Sequence, residues 1–467
     1  MATVYVVAMF MSVLDTTIVT VALPAIAREF GVTAATVGVV SVAYLVALTV
    51  FIPVSGWLGD RIGGKRALLG AIALFTLGSV LCGCSTSLPE LVAFSALQGV
   101  GGAIMLPVGL AMLFRVYPPA ERVRLASTLA LVTAIGPALG PILGGLFTTY
   151  ASWRLVFLVN VPIGLAVIVW GAVRLDSHAQ PHPGRLDLAG LLLSAVGLGA
   201  LISGVSEGPT LGWGDPVVLS LLIVGAAALV VLVPVELHVE RPLIDLRLFG
   251  NRLLASATAL YGLASMAYIG ALYLVAVFLQ EALGASAMVS GLTSVASAIG
   301  IIIGGQVVTR VLYRRVGPRR LTAAGLVLIA MSLALMALVT TSTDLWLVRL
   351  DLFVLGLGVA CVFIPSQAIS MATVSKADMG KASPLFNSGK QLGSAVGIAV
   401  LSTVVAIGAG VMHPAAGNAD VGPYHLAFLV AAAVALISVG VALMIRDAEA
   451  VETMRPVQHA SRPRAAG

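Results

Sequence analysis

Runs of apolar residues, each at least twenty residues long, follow one another along most of the chain. A helix needs about 20 apolar residues to cross the hydrocarbon layer of a bilayer, so each run predicts a membrane-spanning helix. Only 10% of the residues are charged, whereas a soluble domain carries about a quarter. We count fourteen spans, at residues 4–26, 36–58, 67–86, 88–114, 125–149, 153–174, 187–206, 215–236, 252–280, 286–312, 321–341, 344–373, 382–411 and 424–445. The chain is therefore predicted to be an all-α polytopic membrane protein.

The basic residues support this count. If the N-terminus lies in the cytoplasm, the loops after even-numbered spans and the C-terminal tail are cytoplasmic. These segments hold 22 of the 26 lysines and arginines, as the positive-inside rule requires. The exceptions are Arg28, Arg154, Arg349 and Lys390. We expect a multi-pass protein of a bacterial inner membrane, with both termini cytoplasmic and no cleaved signal peptide. The basic residues are too dispersed for a nucleic-acid surface, and we expect a monomer.

An internal repeat divides the chain. The loop after span 2 (56–66) resembles the loop after span 10 (305–320), so that aligning Gly56 with Gly305 places Arg61 on Arg310. Two parallel six-helix halves around a midplane site describe the major facilitator fold. We therefore predict an N-terminal half (1–175), linkers with an inserted pair formed by spans 7 and 8 (176–249), a C-terminal half (250–446) and a disordered cytoplasmic tail (447–467).

Span 5 contains an unusual stretch of glycine and proline. Proline kinks a helix, and glycine lets a neighbouring helix approach closely. Small residues four apart also occur at static interfaces, but the paired prolines favour a helix that bends or slides. The residues are Gly136, Pro137, Gly140, Pro141, Gly144 and Gly145. This stretch indicates a moving membrane protein, such as a transporter.

Six motifs, taken in order, resemble those of the fourteen-span drug/proton antiporter family of the major facilitator superfamily. They lie at 14–24, 56–66, 136–145, 153–164, 242–249 and 387–393. The resemblance runs from span 1 to span 14. It implies a proton-coupled efflux pump for amphipathic drugs or antibiotics, working by alternating access, with the proton gradient as energy source and no cofactor. One departure lies in span 4, where Ser95 stands in place of an arginine to which the family often assigns proton coupling.

Asp15 is the candidate for proton coupling. It lies about 16 Å into span 1, near the bilayer centre. Acidic residues at such depth usually mark ion or substrate pathways, and desolvation favours the neutral, proton-carrying form of a carboxyl group. The alternative is a structural aspartate hydrogen-bonded to Thr16 or Thr17.

The loop after span 2 is the candidate cytoplasmic gate. Its residues are Gly56, Gly59, Asp60, Arg61, Gly63, Gly64, Lys65 and Arg66. By the resemblance, Asp60 faces the N-terminal end of span 13, where the helix dipole stabilises a carboxylate. This contact closes the cytoplasmic side in the outward-facing state. The alternative is a loop that only carries positive charge, for which neither the glycines nor Asp60 are needed.

Polar residues inside the spans are candidates for lining a substrate cavity. They are Gln98, Arg154, Asn160, Asn387, Lys390 and Gln391. The amide residues have an alternative role as hydrogen bonds between helices. Lys390 either binds an anionic group of the substrate, pairs with Asp15 across the cavity, or snorkels towards a helix end.

Several functions are excluded by missing motifs. The chain has no GxxxxGK[ST] phosphate loop, no HExxH and no Gly-x-Ser-x-Gly, and its histidines lack metal-ligand spacing. We therefore expect neither an enzyme nor an ATP-driven pump nor a metal site. The expected partners are small amphipathic substrates, protons and the lipid bilayer. The alternatives are an exporter of an endogenous metabolite or lipid on the same fold and, from another class, a non-transporting membrane sensor.

Overall fold

The computed structural model describes residues 1–175, 186–240, 242–411 and 421–454, which form helices and no strand. Thirteen of the described helices are long and apolar enough to cross a membrane, and the 32-residue helix Pro119–Tyr150 corresponds to the remaining predicted span. In chain order we name them α1 (Ala2–Phe30), α2 (Ala34–Ile62), α3 (Gly64–Cys84), α4 (Leu88–Val116), α5 (Pro119–Tyr150), α6 (Leu155–Arg174), α7 (Leu188–Leu211), α8 (Pro216–His238), α9 (Arg252–Val277), α10 (Ala287–Val307), α11 (Pro318–Met336), α12 (Leu345–Ser370), α13 (Met379–Val411) and α14 (Gly422–Leu443).

Helix ends are set by capping residues that the sequence supplies. Side chains of Thr33, Asp187 and Asp344 accept hydrogen bonds from the first turns of α2, α7 and α12, which satisfies backbone donors that lack partners within the helix. α1 ends at Gly31, whose φ of 65° is the left-handed conformation that glycine adopts without strain. Several helices are longer than the spans predicted from the sequence, because an apolar run marks only the part of a helix that lies in lipid and not its capped ends.

The two halves exchange equivalent contacts. In the N-terminal half α2 packs against α13 of the other half, and in the C-terminal half α10 packs against α5. Gly56 of α2 lies against the Gly380 carbonyl, and Gly305 of α10 lies near the Ser127 hydroxyl. Since Gly56 and Gly305 are the residues aligned in the sequence repeat, the repeat describes a structural pseudo-symmetry.

Each half also contains a helix pair joined through three glycines spaced four residues apart. In the N-terminal half Gly136, Gly140 and Gly144 of α5 lie against Val13, Thr17 and Val21 of α1. In the C-terminal half Gly389, Gly393 and Gly397 of α13 lie against Thr258, Gly262 and Met266 of α9. We call these the α1/α5 seam and the α9/α13 seam. Both stripes have the spacing of four residues that lets two helix backbones approach closely. The side chains of Pro137 and Pro141 lie outside the described residues.

The inserted pair is attached mainly to α13 and α2. α7 contacts α2 and α13, while α8 packs chiefly on α7. At one end, Trp213 Nε1 donates a hydrogen bond of 2.7 Å to the Thr403 hydroxyl of α13. At the other end, Asp245 forms a 3.1 Å salt bridge with Lys381 of α13. The pair therefore spans the boundary between the two halves.

The prediction of a disordered tail from residue 447 is wrong for residues 447–454. Asp447 Oδ1 accepts a 2.9 Å hydrogen bond from the Arg319 backbone N–H at the start of α11. The hydroxyls of Thr453 and Tyr313 are 2.6 Å apart and buried, and the turn Val451–Met454 packs on α5. The low hydrophobicity of residues 447–454 did not predict that they are ordered, because their order depends on a helix cap and one buried hydrogen bond. Residues 455–467 lie outside the described part.

We predict that Gly140→Ala weakens the α1/α5 seam. The added methyl group would collide with the Thr17 side chain, which donates a 3.2 Å hydrogen bond to the Gly136 carbonyl. Overpacking of this kind costs about 1–3 kcal/mol, so the melting temperature of the detergent-solubilised protein should fall. Gly145→Ala is the matched control, since a methyl group there meets nothing within 4 Å. Equal melting temperatures for the two variants would contradict the assignment.

Candidate functional site

Asp15 lies near the midpoint of the 29-residue helix α1 and is only 2% exposed. Its Oδ1 accepts a 2.8 Å hydrogen bond from Gln98 Nε2 of α4 and a 2.7 Å hydrogen bond from Asn160 Nδ2 of α6. Both amide groups also donate to the Ser79 hydroxyl of α3, over 2.8 and 3.1 Å. Four helices of the N-terminal half thus meet in one buried polar cluster, which we call the Asp15 cluster.

Small residues bring these four helices together. Gly78 lies against the Gln98 backbone, where a Cβ would be 2.8 Å from Gln98 Cα. Gly164, one turn after Asn160, lies against the Thr76 side chain of α3. Close approach at both points lets the short Ser79 side chain reach both amide groups.

The chemistry of the cluster accommodates either protonation state of Asp15. Both amide N–H groups point at the same oxygen, Oδ1, which accepts hydrogen bonds in the carboxylate and in the neutral acid. Oδ2 is then the oxygen on which a proton would be carried. No Lys, Arg or His of the described residues bonds to Asp15. Ser95, in the position where the resemblance expects arginine, instead lies 3.6 Å from Cys82 Sγ.

The threonine alternative for Asp15 is not observed. Thr16 donates to the Val13 carbonyl, and Thr17 donates to the Leu14 and Gly136 carbonyls. Their hydroxyls are satisfied by backbone oxygens, so the carboxyl group depends on the other helices.

Three of the residues predicted to line a substrate cavity do not do so in this structure. Gln98 and Asn160 are 1% and 0% exposed, so in this conformation they hold Asp15 and do not line a cavity. Arg154 directly precedes α6, where it forms a 2.7 Å salt bridge with Glu29 and stacks over Trp153 at 4.4 Å. Its guanidinium therefore fastens the loop before α6 to α1.

The other three candidates share α13. Asn387, Lys390 and Gln391 are all partly exposed, and Asn387 donates within its own helix to the Ser383 carbonyl. α13 begins at Met379, so Lys390 lies about 16 Å along the helix. The Lys390 side chain is therefore too short to reach this helix end by snorkelling. Lys390 forms no salt bridge with a described acid, Asp15 included.

The predicted gate loop lies against the start of α13. The Asp60 carboxylate forms a 3.2 Å salt bridge with Arg115 of α4, and both side chains lie beside Gly380. Arg115 Nε also donates a 3.1 Å hydrogen bond to the Lys376 carbonyl. Arg115 is a residue that sequence reasoning missed. Its only signal was its position in the last turn of α4, among other basic residues.

The predicted loop is shorter in the structure: only Gly63 lies between α2 and α3, and the other residues lie in the last turns of α2 and the first turn of α3. Gly63 has a φ of 86° and links α2 to α3, a conformation that favours glycine. Gly59 lies against Val108 and Gly64 against Met112, both of α4. Lys65 Nζ donates a 2.8 Å hydrogen bond to the Ala172 carbonyl of α6. Arg61 and Arg66 are exposed.

Two further hydrogen bonds join the halves at the same end of the bundle, which we call the basic end because Arg115 and Lys376 lie there. The Ser383 hydroxyl donates to the Pro107 carbonyl over 2.8 Å. The buried Arg122 of α5 donates to the Met371 carbonyl over 2.7 Å. The basic end is therefore closed in this structure.

We predict that Asp60→Asn loosens the basic end. The substitution removes the ion pair with Arg115, and a partly buried pair of this kind contributes about 0.2–1 kcal/mol. Maleimide labelling of a cysteine at buried Ala111, in protein without native cysteines, should then become about two- to fivefold faster. Asp378→Asn is the matched control, because the partly exposed Asp378 carboxylate bonds, among the described residues, only to the Ser375 hydroxyl. Unchanged labelling in Asp60→Asn would contradict a gating role.

Comparisons with known proteins agree with this architecture. The family model of the Major Facilitator Superfamily matches residues 5–398. The multidrug resistance protein B homolog of Mycobacterium tuberculosis is 33% identical over 86% of this chain and 75% of its own length. The tetracenomycin C resistance and export protein of Streptomyces glaucescens is 32% identical over 87% of this chain and 76% of its own length. The putative multidrug resistance protein MdtD of Pectobacterium carotovorum is 32% identical over 90% and 89%.

Solved structures show the same fold. The human organic anion transporter MFSD10 superposes with a TM-score of 0.66, at 14% identity, over 94% of this chain and 98% of that one. The proton:xylose symporter XylE superposes with a TM-score of 0.64, also at 14% identity, over 94% and 93%. The predicted fold class, with two six-helix halves and an inserted pair, is confirmed. The chain is a multi-pass membrane transporter and not an enzyme, and it belongs to the Major Facilitator Superfamily.

Proposed function

We propose that this protein is a proton-coupled antiporter that exports amphipathic drugs across a bacterial inner membrane. The observation that carries the proposal is Asp15, a carboxyl group buried at mid-helix and held by neutral amides. A buried acid without a cationic partner can change its charge by taking up or releasing one proton. In the proposal the protein acts as a monomer without a cofactor, and both termini lie in the cytoplasm.

The closed basic end suggests the order of events. With the termini in the cytoplasm, the basic end is cytoplasmic, so the conformation described here is closed towards the cell interior. Asp15 takes up a proton from outside in this state. Opening of the contacts at Asp60, Arg122 and Ser383 then exposes the cluster to the cytoplasm, where the proton is released and the substrate enters between the halves.

The membrane potential supplies enough energy for this exchange. One elementary charge that crosses 100 mV yields about 2.3 kcal/mol. Because 1.4 kcal/mol is a factor of about ten in a concentration ratio, one proton supports a roughly fifty-fold substrate gradient before any pH difference is counted.

The substrate class is inferred from the relatives and from α13. Relatives named for multidrug resistance favour amphipathic drugs as substrates. Asn387, Lys390 and Gln391 provide partly exposed polar groups on a helix that borders both halves. The relative named for tetracenomycin C resistance and export supports the second candidate, export of an endogenous compound on the same fold.

We predict that Asp15→Asn abolishes gradient-driven transport. Asparagine keeps a hydrogen-bonding side chain but carries no proton, so the fold should survive while coupling is lost. The measurement is uptake of ethidium into inverted membrane vesicles with an imposed acid-inside gradient, compared with vesicles that lack the protein. The matched control is Asp351→Asn, because Asp351 bonds to Ser332 in the C-terminal half, outside the Asp15 cluster.

Gradient-driven uptake that persists in Asp15→Asn would refute the coupling role. If wild-type vesicles take up neither ethidium nor anionic and zwitterionic dyes, the second candidate, a narrow endogenous substrate, is favoured instead.

A further inference from the structure

We infer that Ser79 is the positioning residue of the Asp15 cluster: it accepts a hydrogen bond from each of the amide groups of Gln98 and Asn160 and so holds their N–H groups at the carboxyl group. This inference deepens the proposed function, on which it rests, by naming a residue that tunes proton release. Neither the sequence motifs nor the resemblance pointed to Ser79.

The hydrogen-bond geometry defines the role. Each amide nitrogen donates once to Asp15 Oδ1 and once to Ser79 Oγ, at distances between 2.7 and 3.1 Å. An amide NH2 group has two hydrogens, and a serine oxygen has two lone pairs. Ser79 therefore accepts the second hydrogen of both amides.

The two amides differ in how firmly they are held. Gln98 Oε1 is also 3.9 Å from Cys82 Sγ, which donates to it. Asn160 Oδ1 is buried without a hydrogen-bond partner. Apart from Asp15, Ser79 is therefore the one described side chain that holds the Asn160 amide in place.

Movement of the Asn160 amide away from Asp15 would change the proton affinity of the cluster. Hydrogen bonds donated to a carboxylate stabilise its charged form, so an N–H group that is held less firmly at Oδ1 stabilises that form less. Loss of the Ser79 hydroxyl removes the partner that anchors both amides at this oxygen. Asp15 should then keep its proton to higher pH.

No other charged group competes for this effect among the described neighbours of Asp15. The titratable groups that face it are Tyr44 from α2 and Cys82 from α3, and both are neutral near pH 7. α4 and α6 contribute the two amides, and α5 presents the glycines of the α1/α5 seam.

The test is an infrared titration of the purified full-length protein in lipid nanodiscs. The carboxyl band that Asp15→Asn removes reports the protonation of Asp15 directly, without transport. We expect Ser79→Ala to move the midpoint of this band up by about one pH unit, a roughly tenfold change in proton affinity. Ser79→Thr keeps the hydroxyl and should restore the wild-type midpoint.

Two controls separate positioning from general damage. Ser12→Ala removes a different buried hydroxyl, which lies on α1 and contacts Tyr44 and not the amides. This substitution should leave the midpoint unchanged. In an Asn160→Ala background, Ser79→Ala should shift the midpoint much less, because the amide through which Ser79 acts is gone. An unchanged midpoint in Ser79→Ala, an equal shift in Ser12→Ala, or an undiminished shift in the Asn160→Ala background would each overturn the inference.

The titration also separates this inference from the proposed function. If the Ser79→Ala shift occurs as expected but wild-type vesicles show no proton-driven uptake, the positioning role stands and proton-coupled export fails. If uptake requires Asp15 but Ser79→Ala leaves the midpoint of the infrared titration unchanged, the export proposal stands and the positioning role fails. Absence of any Asp15-dependent band in the folded protein would overturn the inference.

Discussion

A carboxyl group at the middle of a bilayer must receive its hydrogen bonds from protein, because lipid offers none. Asp15 receives them from Gln98 and Asn160, and Ser79 in turn receives from both. These residues lie on four different helices, so the hydrogen bonds that the Asp15 carboxyl group requires constrain the arrangement of α1, α3, α4 and α6. Much of the N-terminal half is organised around this buried cluster.

Close helix contact is the second requirement, and glycine supplies it in both halves. The α1/α5 seam and the α9/α13 seam occupy equivalent places in the two halves, and each uses three glycines four residues apart. Because the glycines have no side chains, the two helix backbones of each seam approach closely. One seam leads to Asp15, and the other lies on the helix that carries Lys390.

The basic end is held closed by contacts of a different kind. Asp60, Arg115 and Arg122 use charge against backbone carbonyls or against one another, and their partners lie on segments that precede or begin α13. The Asp60–Arg115 pair is partly exposed and therefore modest in strength, whereas Arg122 is buried. The inserted pair is also attached to α13, through Thr403 and Lys381. α13 is therefore the helix on which the two halves, the contacts of the basic end and the inserted pair converge.

The sequence by itself determined the number and order of the spans and the two-half repeat, and it singled out Asp15 as a candidate, because hydropathy and an intramembrane charge are local properties. It also placed Gln98 and Asn160 among the functional residues, but as cavity-lining groups. Only the tertiary structure showed that they bind Asp15, that Ser79 accepts a hydrogen bond from each of them, and that Arg115 joins Asp60 to the segment before α13. Serine and arginine at these positions are unremarkable in sequence, and their roles come from side chains that meet across helices far apart along the chain. The order of residues 447–454 likewise depends on partners at Arg319 and Tyr313, which no local pattern reveals.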